Sequence, residues 1–223
     1  MSKIGIWFLV LFIMYSSNIF AEGSLYSIKH KDKVKQDYEI HIDYPVFNGL
    51  PNEKLQEEVN NKVSNKLENT VREVKRVAEQ STGFPVLYYE EEEVIEDDKM
   101  ISIVMTSNIS RGNNYNSTVS SINFENGDNG RILTLEDVVE MPSLNQEVKK
   151  QMANEPDTYF HQSFNSVRED TAFYINGEQI ILVFNKYEIA PGVYGTPEIS
   201  IPLDRVRKDQ SSKETNVPLP QII

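Results

Sequence analysis

The sequence predicts an α+β fold, a mostly antiparallel sheet packed by one long helix and made from two interlocked modules. Three observations carry this. Leu55, Val59, Val63, Leu67, Val71, Val74 and Ala78 step by three and four residues and form one apolar stripe down a helix. Tyr38, Ile40, Ile42 and Tyr44 alternate with Glu39, His41 and Asp43, the period of a half-buried strand. Between Phe173 and Phe184, two β-rich runs are joined by Asn176-Gly177. That dipeptide suits a type I′ hairpin turn, which needs positive φ at both central residues.

Taken in order, the chain of 223 residues divides into five expected segments. Residues 1–21 read as a signal peptide: Lys3, an apolar run Ile4–Tyr15, a polar break, and Ala21 before Glu22. The run is short for a membrane span. A cleaved secretory signal is the first reading and an uncleaved anchor the second, so membrane contact is expected only through that segment. Either places the protein outside the cytoplasm, secreted or in the periplasm or cell envelope. Residues 22–36 form a polar lead with Lys29, His30, Lys31, Lys33 and Lys35. It reads as a solvated linker or a first edge strand, or else as a basic segment facing a membrane or an anionic wall polymer.

Residues 37–130 make the N-terminal module. The strand at 38–44 runs into a turn at Phe47–Pro51, and the long helix follows from 52 to 80, with Pro51 at its start and Gly83 past its end. Pairs such as Glu68 with Arg72 dress its polar faces. Strands are expected at 85–93, 100–109 and 115–124, the last with Val119, Ile122 and Phe124 inward. Glu90 to Asp98 holds seven acids in nine residues. Their mutual repulsion predicts a solvated hairpin tip; capture of a cationic protein is the second reading and calcium the third, though the spacing matches no known calcium loop.

Residues 131–207 make the C-terminal module. Thr134 caps a short helix at 135–139, and Ser143 with Gln146 forms a capping box ahead of 147–152. Another helical turn is expected near Pro156–Phe160. The hairpin, a loop rich in Tyr and Gly from Tyr187 to Gly195, and a third strand at 198–203 close the fold. Residues 208–223 are polar, hold two prolines and read as a flexible tail.

Enzyme chemistry is not indicated. There is no cysteine, and His30, His41 and His161 lie far apart with no metal-ligand spacing. No Gly-x-Ser-x-Gly elbow and no phosphate loop occurs. The reading is a non-catalytic protein without cofactor or metal. A formal net charge of -12 argues against a nucleic-acid partner and favours a basic one. The expected contact residues are Tyr187, Glu188, Pro191 and Tyr194 in the loop. Glu91, Glu92, Glu96 and Asp97 in the acidic run would steer the partner.

Phe173-Tyr174-Ile175, Phe184-Asn185, Tyr187-Glu188-Ile189-Ala190-Pro191, Gly195 and Ile199-Ser200-Ile201-Pro202 resemble the C-terminal module of the RsiV family, the extracellular parts of anti-sigma-V factors. The family usually places an aromatic after the proline. Here Gly192 stands there, and Tyr194 comes two places later. The strand at 38–45, the long helix, Tyr88-Tyr89 and Gly130–Val139 resemble the preceding RsiV module. A similar pair stands ahead of the catalytic domain in PdaC-type peptidoglycan deacetylases, whose Thr-Phe-Asp-Asp motif is absent here. The resemblance covers residues 37–207. It implies a secreted, non-catalytic binding protein that recognises lysozyme, a cationic muramidase. The alternatives are a peptidoglycan-binding module and a secreted structural domain with no retained partner.

Overall fold

A computed structural model describes residues 24–80, 83–98 and 100–208. The expected signal peptide and all of the expected C-terminal tail but Lys208 lie outside these residues. Strands β1 (Tyr26–Val34) and β2 (Tyr38–Phe47) are followed by helix α1 (Glu53–Glu79). Strands β3 (Val86–Asp97), β4 (Met100–Arg111), β5 (Asn114–Glu125) and β6 (Ile132–Leu133) come next. Two helices follow, α2 (Leu135–Val138) and α3 (Met141–Asn154), then strands β7 (Ala172–Asn176), β8 (Gln179–Val183) and β9 (Glu198–Pro202).

β1 to β6 form a six-stranded sheet in chain order, and β7-β8-β9 form a second sheet. All pairs are antiparallel except β2 with β3. Parallel neighbours need a crossover connection, and α1 is that crossover. Its apolar stripe lies on one face of the first sheet. Leu55, Val59, Val63, Leu67, Val74 and Ala78 are buried against Ile40, Ile42, Tyr88, Ile103 and Phe124. Asn52 caps the helix by accepting from the Leu55 N–H at 3.1 Å. Arg72 donates to Asn69 and not to Glu68, so the expected ion pair is replaced by a hydrogen bond one turn back.

The second sheet covers part of the opposite face. Val104 and Val119 of the first sheet meet Ala172 and Val183 of the second, with Ile95 and Tyr174 packed beside them. The far face of the second sheet carries Phe173, Ile180, Leu182, Ile199 and Ile201, which bury against Leu144, Val148 and Met152 of α3. The order of layers is helix, sheet, sheet, helix. β6 belongs to the first sheet although it lies past residue 131, so the two modules share an edge.

Several expectations need correction. Of the readings of the polar lead, the edge strand is the one found, because Tyr26–Val34 pairs throughout with β2. The acidic run is not a loop tip, because Glu90 to Asp97 continues β3 in unbroken register with β4. The hairpin turn is Gly177-Glu178, since Asn176 already pairs with Gln179. Only Gly177 has positive φ there, at 60°, which suits a type II′ turn and not I′. α3 begins at Met141 and not near Glu147. Pro142 fits its first turn, and the Glu140 carbonyl accepts from the Leu144 N–H at 3.0 Å. Residues 156–160 make turns without a helix.

Candidate functional site

The loop after β8 is built from its anchors upward. Ile189 and Ala190 are buried, and the Ile189 carbonyl accepts from the Phe160 N–H at 2.8 Å. Asn185 is the hub. Its Oδ1 accepts from the Val119 N–H at 2.7 Å, on the outer edge of β5. The Lys186 N–H donates to the Ser117 carbonyl at 3.0 Å on the same edge. The loop therefore borrows the free rim of the first sheet as its support.

Glu188 completes this frame. It accepts from the Asn185 backbone at 3.0 Å and from the Asn185 side chain at 2.8 Å, and its other oxygen takes Arg168. Its carboxylate is turned inward as a strut, so Glu188 is not a free contact residue as expected. Pro191 opens a single 3-10 turn at Gly192–Tyr194.

Tyr187 has φ of 68°, a left-handed conformation that costs a non-glycine residue roughly 1–2 kcal/mol. Its ring lies on Gly192, where any Cβ would run into it. An aromatic at 192, which the resemblance leads one to expect, is thus incompatible with this placement of Tyr187. Gly192→Ala is expected to swing the Tyr187 ring off its seat and to change stability by less than about 1 kcal/mol, because the ring is a side-chain end facing solvent. Loss of nuclear Overhauser contacts between Tyr187 and residue 192, with a melting curve, checks this.

The loop presents a ridge. Lys186 Nζ sits 4.1 Å from the Tyr115 ring centroid and 5.2 Å from that of Tyr187. Tyr115 O–H donates to Asn108 at 2.7 Å. Tyr115, Tyr187 and Tyr194 are 47%, 58% and 49% exposed, and Val193 is 87% exposed. Exposed rings on a hydrogen-bonded frame are the kind of side chain that anchors a partner. Tyr115 and Lys186 were missed from sequence. Tyr115 shares the face of Ser117 and Val119 by strand parity, but nothing local links it to residue 186.

The acidic run divides between the two faces of β3. Glu91 points away from α1, beside Tyr89, which stacks on His41 at 4.9 Å. Glu39, Asp43 and Glu93 share this open face by strand parity, and it adjoins the ridge across Asn108 and Tyr115. His30 on β1 bridges Asp43 at 2.6 Å and Asp32 at 2.7 Å, and these carboxylates raise its pKa above 6.5. Glu92 and Glu96 lie on the α1 face, so the structure separates them from Glu91. Burial is the main cause that raises the Glu92 carboxyl. Asp97 accepts from the Gly177 N–H and pins the second hairpin to the first sheet. It therefore serves as a structural tie between the two sheets.

Glu90 was not foreseen as buried. Its carboxylate takes Lys66 of α1 and the Tyr88 hydroxyl, and accepts from Ser107 Oγ at 2.7 Å. Lys66 also reaches Ser107 at 2.7 Å. Burial lowers the Lys66 pKa, and Glu90 opposes that shift.

Among the described residues no group of three or more His, Cys, Asp or Glu is placed to hold a metal. No helix among them is long and apolar enough to cross a membrane. The site offers aromatic surface, one cation held between rings and a neighbouring acidic face, which suits binding.

Residues 130–204 match a family model described as a protein of unknown function (DUF3298). The chain is also similar to the anti-sigma-V factor RsiV of Bacillus subtilis (strain 168), with 23% identity over 184 residues. That alignment covers 75% of this chain and 64% of RsiV. The chain thus spans just under two thirds of that relative's length. Both matches support the RsiV-like resemblance.

Proposed function

We propose that this protein is an extracellular, non-catalytic binding module that takes a cationic protein of the lysozyme kind on the ridge around Tyr187. The observation that carries this reading is the ridge itself, a rigid set of exposed Tyr side chains beside the open acidic face with Glu39, Asp43, Glu91 and Glu93. Aromatic anchors supply affinity at such contacts, and complementary charge raises the encounter rate. Similarity to the anti-sigma-V factor RsiV is compatible with a binding role. The net charge of -12 fits a basic partner.

Titration calorimetry of the full chain against a c-type lysozyme, at low and moderate salt, tests it. The expected result is 1:1 binding that persists at moderate salt and weakens at least about 30-fold in Tyr187→Ala, the loss of roughly 2 kcal/mol typical of an anchor. Binding that vanishes with salt, or that ignores Tyr187→Ala, reflects only unlike net charge and overturns the proposal. No binding at either salt overturns it too and shifts weight to a wall-polymer ligand.

A further inference from the structure

β1 is the outermost strand of the first sheet, and among the described residues nothing pairs with its outer edge. Its sequence puts a lysine at every second position, 29, 31 and 33. The register sets all three on the α1 side, opposite Tyr44, Ile42 and Ile40. Side chains two residues apart on a strand recur every ~6.7 Å. The row continues into a groove of about 300 Å3 between β1 and α1, where Lys31, Arg72 and Lys75 stand over Ile42 and Leu67 with one acid, Glu68. Among the described residues Lys29, Lys31 and Lys75 have no ion-pair partner, although the chain has 34 acids to 22 Lys and Arg. On the other side of the strand Ile28 and Val34 are 48% and 62% exposed.

We propose that the edge of β1 receives an extended acidic segment of a partner protein as a seventh strand. Strand addition gives main-chain hydrogen bonds for affinity and alternate side chains for specificity. A partner strand has the same two-residue repeat as β1, so acids at every second position face Lys29, Lys31 and Lys33 in register. The cations of α1 lie on the same side. Apolar residues at the ends of that segment meet Ile28 and Val34. A second copy of this chain is a poor occupant, because antiparallel β1 edges would set lysine against lysine. The surface is separate from the ridge around Tyr187, and its test does not depend on the partner proposed there.

The probe is a dye-labelled, end-capped heptapeptide, Val-Glu-Thr-Glu-Thr-Glu-Ile, titrated with the full chain by fluorescence anisotropy at moderate salt. Its composition-matched isomer Val-Glu-Glu-Glu-Thr-Thr-Ile and a form N-methylated at alternate amides serve as comparisons. The alternating peptide is expected to bind at least tenfold more tightly than either. Lys29→Glu with Lys31→Glu is expected to lose at least tenfold with an unchanged circular dichroism spectrum, and to gain affinity for the peptide with Lys in place of Glu. Equal binding of the two isomers, or indifference to N-methylation, means charge attraction without strand addition and overturns the proposal. Absence of binding overturns it as well.

Discussion

Lys66→Ala is expected to destabilise the protein by about 3–5 kcal/mol, the range found when one partner of a buried ion pair is removed. Glu90 is buried to 3% exposure in the middle of β3, and its carboxylate depends on Lys66, Ser107 and Tyr88. Without Lys66 a charge remains in the layer between α1 and the first sheet, with only hydroxyl donors. Urea unfolding monitored by circular dichroism measures the loss. The double change Lys66→Met with Glu90→Gln is expected to recover most of it, because a neutral amide keeps an acceptor for Tyr88 and Ser107 while the unpaired charge is gone. A loss below about 1 kcal/mol for Lys66→Ala would show that water reaches Glu90.

Asn185→Ala is expected to cost about 2–3 kcal/mol and to displace the Tyr187 ridge. Truncation leaves the part-buried Val119 N–H without its acceptor, and an unmet buried donor costs about 1–3 kcal/mol. It also removes a donor from Glu188, which then holds only the Asn185 backbone and Arg168. Unfolding curves give the first effect, and hydrogen exchange at Val119 and Lys186 gives the second. Tyr187→Ala is the contrast. It removes a ring that is 58% exposed and leaves the frame in place, so stability changes little while partner binding falls. If Asn185→Ala leaves exchange at Lys186 unchanged, the frame does not depend on this side chain.

The helix was legible because its stripe runs from Leu55 to Ala78, nearly the whole of a 27-residue helix, and one amphipathic face is a local property. The alternation at 38–44 was legible for the same reason. The acidic run misled because repulsion among neighbours is visible in sequence, whereas the remedy is not. Glu90 is met by Lys66, 24 residues earlier and one layer away. The pleat then sends Glu91 and Glu92 to opposite faces, so the nine-residue run does not act as one cluster. The loop at 187–195 was recognised by its composition, but Glu188 could be assigned its inward role only with Arg168 and Asn185 in place. Tyr115 and Lys186 meet only in three dimensions. The turn at Gly177 was one residue off because Asn-Gly favours type I′, and strand pairing through Asn176 overrode that local preference.

The support that β5 gives to residues 185–186 has a consequence for biogenesis. The chain is synthesised from its N-terminal end, and the Val119 amide waits for a partner 66 residues further on. During that interval the rim of β5 is open and exposed to other nascent chains. The residues along it are Asn114, Asn116, Ser117, Thr118, Ser120 and Ser121, interrupted by Tyr115 and Val119. Hydroxyl and amide side chains make a poor seed for hydrophobic aggregation, so the rim that waits for residues 185–186 is protected by its own composition.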